Sequence, residues 1–296
     1  MEINGAAILD TFAEAFPVWV SRVVITASDM RWAYRAAAGA TGFASSRIGC
    51  PCEAGIEREL AASGTPDGRP GVAILICGEK KQMKQHVASR VSQCVLPIPT
   101  ASAFDGLPGA KDRFYIRMHY FGDSYEERCM VSGRRCWKIP VMEGEYVGEE
   151  RFGTVKGIAG GNFLVMAGDQ PSALAAADAA AGAIAGMAGV ITSFPGGVVA
   201  AGSKVGSVRY RFPMPASTNH RFCPTLKGRI GDSEVPDGTG AIYEIVINGM
   251  DEASVRSAMK VGIEAAAGTG EVRYIGASNF GGALGPYRLY LHDLFR

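Results

Sequence analysis

Residues 240–251 read "GAIYEIVINGMD", a run of β-branched and aromatic residues closed by a glycine turn, with one carboxylate at its centre. The composition and length are those of a strand. Side-chain alternation places Ile242, Glu244 and Val246 on one face and Tyr243, Ile245 and Ile247 on the other, so both faces read as buried. An unpaired buried carboxylate costs several kcal/mol, or its pKa climbs until it is neutral. Two readings follow: a glutamate paired with a basic residue or exposed at an edge, or an acid kept protonated in a dry site to move a proton. Three glycine-rich stretches share this half of the chain: "GIAGGNF" (157–163), "FPGGVVAAGSKVGS" (194–207) and "ASNFGGALG" (277–285). Glycine lets backbone come close to a ligand, and its amides hold an anion or carbonyl oxygen; plain turn chemistry is the competing reading of each stretch.

Other chemistries lack their residues. There is no GxxxxGK[ST], and "AGSKVGS" does not have the glycine spacing of a dinucleotide turn. HExxH and GxSxG are absent, and the four histidines, at 86, 119, 220 and 292, are scattered, which argues against metal-dependent and serine hydrolases. Seven cysteines, at 50, 52, 77, 94, 129, 136 and 223, form an odd set without CxxC spacing. They read as reduced thiols in a cytoplasm, with Cys50 and Cys52 as small core or loop residues rather than metal or redox ligands. Thirty basic and twenty-nine acidic side chains give a net charge of +1, no footprint for nucleic acid or an anionic membrane. The longest apolar run, "ALAAADAAAGAIAGMAGVI" (173–191), carries Asp178 and is too rich in Ala and Gly for a membrane span. "MEINGAAILDTFAEAF" has no basic region followed by an apolar one, so no signal peptide is expected.

These residues are positioned by a repeated plan. "VAILICGEKKQMKQHVASRVSQCV" (72–95) and "IYEIVINGMDEASVRSAMKVGIEAA" (242–266) each give an apolar strand, a glycine turn and an amphipathic helix, with Met83, Val87 and Val91, and Val255, Met259 and Ile263, at i, i+4 spacing. Upstream, "RVVITASDMRWAYRAAAGATGF" gives a strand over 22–27, a cap at Ser28 or Asp29 and a helix to about Ala40. "NFLVMAGDQPSALAAADAAAGAIAGMAG" repeats it, with Asp169 or Gln170 ahead of Pro171. The expectation is an α+β protein of two ferredoxin-like βαββαβ lobes related by duplication, antiparallel sheets with helices on one face. The first lobe spans 1–146, with an added β-rich portion over 111–146, and the second spans 147–296. Alignment on Gly78 and Gly249 sets Ala73 opposite Glu244, so the fold does not require the carboxylate. The sheet faces away from the helices stay apolar and call for cover, by the other lobe or by another subunit.

Across nearly the whole chain the sequence resembles formylmethanofuran:tetrahydromethanopterin formyltransferase. The stretches that carry the likeness are "DTFAEAF" (10–16), "TGFASSRIGCPCEAGIE" (41–57), "TPDGRPG" (65–71), "PTASAFDGLP" (99–108), "AGGNF" (159–163), "FPGGVVAAGSKVGS", "YEIVING" (243–249), "NFGG" (279–282) and "LHDLF" (291–295). The resemblance implies a cytoplasmic enzyme with no tightly bound cofactor or metal. It would move a formyl group from formylmethanofuran to N5 of tetrahydromethanopterin and assemble as a dimer or dimer of dimers. It places the reaction centre at Glu244. Residues expected to bind the substrates are Gly160, Gly161, Asn162, Phe163, Pro195, Gly196, Gly197, Ser203, Lys204, Asn279 and Phe280, with Arg209 and Arg211 beside Lys204 as further anion contacts. The transfer passes through a tetrahedral oxyanion, for which the glycine-loop amides and Glu244 are the expected donors. A non-catalytic assembly or binding module that keeps the duplicated fold is the alternative.

Overall fold

The computed structural model describes residues 1–42 and 52–296, so Cys50 lies outside the described residues. In chain order the elements are β1 (Glu2–Ile3), β2 (Ala6–Ile8), β3 (Phe12–Thr26), α1 (Met30–Thr41), β4 (Cys52–Leu60), β5 (Gly71–Gly78), α2 (Lys80–Arg90), β6 (Ser102–Asp105), β7 (Asp112–Tyr115), β8 (Glu127–Val131), β9 (Arg134–Val141), β10 (Gly144–Glu149) and β11 (Arg151–Ala167). There follow α3 (Gln170–Ile184), β12 (Val190–Thr192), β13 (Ser203–Val205), β14 (Ala216–Thr218), β15 (Ala241–Gly249), α4 (Glu252–Ala267), β16 (Val272–Gly276) and β17 (Tyr287–Tyr290).

The helices begin where short polar side chains can satisfy the first amides. Asp29, Asp169 and Asp251 accept from the N–H groups of Trp32, Ser172 and Ser254 at the starts of α1, α3 and α4. Pro171 occupies the first turn of α3, where the amide it lacks would have had no helical partner. The strand expected over 22–27 is far longer, running from Phe12 to Thr26 through Pro17. A proline is tolerated there because it sits opposite Ile158, beside the irregularity of β11 between Ile158 and Gly161.

Strand pairing gives the order β4-β5-β3-β6 in the first half and β12-β15-β11-β16 in the second. β8, β9 and β10 extend the first set as a meander. β3 and β11 pair directly, Phe16 with Ala159 through Val20 with Val155, and so join both sets into one mostly antiparallel sheet. Helices cover one face of each set. Tyr243, Ile245 and Ile247 pack with Phe163, the alanines of α3, and Val255, Met259 and Ile263 of α4; this core also takes in Ala6, Ile8, Ala13 and Ala15 from the N-terminal strands. Val23, Ile25, Ile74 and Ile76 pack on Met83, Val87 and Val91. Each such side chain contributes about 1.5–3 kcal/mol on burial.

The opposite faces meet each other. Val20, Leu75, Cys77 and Ile191 make a small core between the halves, so the other half supplies the cover that the apolar pattern demanded. Close approach of β4 to β12 is possible because Gly55 has no side chain; a Cβ there would stand 3.0 Å from that of Ile191. Buried Glu57 fastens the same seam, taking both Arg22 Nε and Nη2 at 2.6 Å and the Gly189 N–H at 2.6 Å. Among the described residues no helix is long and apolar enough to cross a membrane.

Candidate active site

Where the two sheet faces part, they leave a cavity of about 980 Å³ lined from both halves of the chain. Glu244 projects into it from β15 beside Val246, as the alternation of that strand dictates, while its neighbours Tyr243 and Ile245 are buried under the helices. The strand is held there partly by Val199, whose N–H donates to Glu244 O at 2.8 Å and whose carbonyl accepts from Glu244 N at 3.0 Å. No hydrogen bond reaches the Glu244 carboxyl among the described residues, and what exposure it has is into the cavity. Burial without a compensating partner pushes its pKa up to about 7.

Glu14 reaches the same cavity and has the opposite surroundings. Its carboxylate is buried and accepts the backbone N–H groups of Phe280 (2.8 Å), Gly282 (3.1 Å), Leu284 and Gly285 (2.9 Å). Burial alone would raise its pKa, yet the four donors outweigh that and hold it below the usual carboxylate range. The loop expected to offer amides to a substrate is therefore wrapped around a side chain of its own protein.

Glu53, on β4, is the third carboxylate in the wall. Its Oε2 accepts from Ser193 Oγ at 3.0 Å and from Asn248 Nδ2, and Asn248 Nδ2 also donates to Ser193 Oγ at 2.9 Å. Asn248 Oδ1 in turn accepts the Gly160 N–H at 3.1 Å. Gly160 has φ +94° at the irregularity of β11, a conformation suited to glycine. Asn162 continues the chain of bonds, accepting from Ser278 N at 2.8 Å and donating to Ser278 O at 3.0 Å and Gly160 O at 3.2 Å. The amides of Gly160 and Ser278 are thus also committed within the protein.

Of the residues singled out in the sequence, Glu244, Gly160, Asn162, Ser203 and Phe280 line this cavity. Gly161 and Phe163 face α4 instead, because they alternate with Gly160 and Asn162 along β11. Pro195, Gly196 and Gly197 line a separate cavity of about 1000 Å³ between β4 and α3. Lys204 is tied into its own hairpin, donating to Ser217 Oγ at 2.5 Å and Thr218 O at 2.8 Å, and Arg209 and Arg211 stand exposed at the hairpin's far end. Asn279 anchors its loop to the N-terminal strands, through Phe12 O at 3.1 Å and Thr11 Oγ1 at 3.3 Å. Glu14, Glu53, Trp19, Ser193 and Asn248 were not singled out. Glu14 and Glu53 carry the same signal as Glu244, an acid inside an apolar strand.

A two-lobed α+β scaffold with a carboxylate-bearing cavity along its seam is an arrangement that can support acid–base chemistry. A family model described as formylmethanofuran-tetrahydromethanopterin formyltransferase matches residues 1–141, and one described as the proximal lobe of that family matches 144–294. The formyltransferase of Methanocaldococcus jannaschii is 53% identical and that of Methanosarcina acetivorans 51%, each alignment covering 100% of both chains. Among solved structures, the formyltransferase of Methanosarcina barkeri superposes with a TM-score of 0.95 at 49% identity, covering 100% of both chains. A chain of the formyltransferase/hydrolase complex of Methylorubrum extorquens, solved with methylofuran, does so with 0.93 at 39%, covering 100% of this chain and 99% of that one. The chain belongs to the formylmethanofuran–tetrahydromethanopterin formyltransferase family.

Proposed function

We propose that the inter-lobe cavity is where the formyl group passes directly between the two coenzymes, and that Glu244 is the group that handles the proton. The reaction itself is the family's: a formyl group moves from formylmethanofuran to tetrahydromethanopterin, both of them substrates, and the enzyme is a formyltransferase. Full-length identity of about half to curated formyltransferases removes the support for a non-catalytic module.

In this reading N5 of the pterin attacks the formyl carbon, the carbonyl oxygen takes up negative charge, and the donor nitrogen leaves with a proton. Both substrates sit in one cavity, so no covalent relay is needed. The amides of Gly160, Ser278, Phe280, Gly282, Leu284 and Gly285 are already taken, and the protonated Glu244 is the donor we assign to the oxyanion or the departing nitrogen. The observation that carries this is a carboxyl aimed into the cavity, with no hydrogen bond among the described residues and a pKa of about 7. Glu244→Gln keeps size and a donor but removes the titratable proton, and should lower the rate of pterin formylation, followed spectroscopically, by roughly 10²-fold or more. Wild-type turnover in that variant refutes the assignment.

The lobes, 1–146 and 147–296, are read as ferredoxin-like duplicates; the matching strand orders β6-β3-β5-β4 and β16-β11-β15-β12, each with two crossing helices, support this. Self-association into a dimer or dimer of dimers in the cytoplasm belongs to the same proposal. It is supported by the β13–β14 hairpin, which leaves Val205, Val208, Tyr210 and Phe212 exposed and bears Lys204, Arg209 and Arg211 for anionic parts of the coenzymes. Light scattering that finds a fully active monomer refutes self-association.

A further inference from the structure

We propose that Glu53 is the amine subsite of this cavity, receiving the N–H of the formamide donor and holding the amine once the formyl group has left. The proposal rests on the formyl-transfer reading and gives that site a second carboxylate with a distinct task.

Of the other carboxylates drawn into the seam, Glu57 and Glu14 are answered inside the protein, while Glu244 has no hydrogen bond to its carboxyl among the described residues. Glu57 has the Arg22 guanidinium, and Glu14 has four amides. Among the described residues Glu53 has only two donors, the neutral Ser193 Oγ and Asn248 Nδ2, and both are spent on Oε2. Oε1 carries no hydrogen bond, and no cation pairs with Glu53, among the described residues. Lys80 lines the same cavity, yet its ammonium is committed to Asp112 at 2.7 Å and lies 4.0 Å over the Trp19 ring. A carboxylate oriented on one side and, among the described residues, open on the other and uncompensated in charge is complementary to an N–H donor, most strongly to an alkylammonium. Of the two substrates, the donor becomes an amine.

The atoms balance without a role for Glu53 as acid or base. As the bond from the formyl carbon to N5 forms, the bond to the donor nitrogen breaks, and the N5 proton replaces the formyl group on that nitrogen, directly or by way of Glu244. Glu53 neither gives nor takes a proton in this exchange, and its contact with the nitrogen strengthens when the released amine takes a proton from water.

Glu53→Gln isolates the open oxygen. Ser193 and Asn248 require an acceptor, so the amide oxygen takes the place of Oε2 and the NH₂ group is left facing the cavity, where it opposes another N–H. Calorimetric titration with methanofuran, the deformylated donor, should show affinity about 10-fold or more weaker in this variant, with tetrahydromethanopterin binding within about 2-fold of wild type. Unchanged methanofuran affinity overturns the proposal. A second arm needs no variant: in the wild-type enzyme, methanofuran with a hydroxyl in place of its amine should bind about 10-fold more weakly, and equal binding overturns the proposal even if Glu53→Gln fails to fold. Both arms are read without turnover. Amine binding through Glu53 in a chain that formylates no pterin would sink the transfer reading and leave the subsite standing.

Discussion

Glu14 and Glu244 are both glutamates within apolar strands, both reach the same cavity, and their surroundings drive them in opposite directions. Around Glu14 the chain closes a loop of four amides, and the carboxylate is held below the usual range. Around Glu244 it supplies Val246, Val199 and, among the described residues, no donor, and burial lifts the pKa to about 7. Burial is present at both; the donors decide the sign. One glutamate is thereby structural, the organiser of the 278–285 loop, and the other is left ready to give up a proton near neutrality.

Breaking the first environment should have the largest effect. Glu14→Ala orphans four amides in a partly buried loop, each costing about 1 kcal/mol or more, and should destabilise the protein by roughly 3–5 kcal/mol in denaturant titration. A loss below about 1 kcal/mol would show that the loop does not depend on the carboxylate.

Changing the second environment should act on rate and on its pH profile. If Glu244 works as an acid, wild-type turnover should fall about tenfold per pH unit above about 7, and the small residual rate of Glu244→Gln should not follow that limb. A matching alkaline limb in both would assign it to another group.

The stability effects are smaller and opposite in sign. Glu244, whose folded pKa is raised from 4.5 to about 7, contributes stability that is fully present below 4.5 and lost as pH rises through about 7. Glu244→Gln should therefore match wild type at acid pH and exceed it by about 1–3 kcal/mol at pH 8. For Glu14, whose folded pKa is lowered, the contribution is present above 4.5 and disappears as pH falls through the depressed value. Acid unfolding of Glu14→Gln should accordingly be less steep than that of wild type.

The sequence contains the strand, the alternation that aims Glu244 away from the helices, and the need for a covered second face, because all three are local patterns of period two. It also contains the acid-in-strand signal at Glu14, Glu53 and Glu57. What it does not contain is the partners. Ser193 and Asn248 lie 140 and 195 residues from Glu53, and the amides that hold Glu14 lie 266–271 residues away. The same limit explains the glycine-rich stretches. "ASNFGGALG" reads as an anion cradle and is one, but its anion is Glu14; "FPGGVVAAGSKVGS" divides among two cavities and a hairpin, a split that tertiary packing sets.

The claim that one carboxyl in this wall is protonated near neutrality is most directly tested by titrating it. Difference infrared spectroscopy of wild type against Glu244→Gln should show a single protonated-carboxyl band that is lost with a midpoint near pH 7. A Glu244 carboxyl that is already ionised at pH 5 would contradict the account.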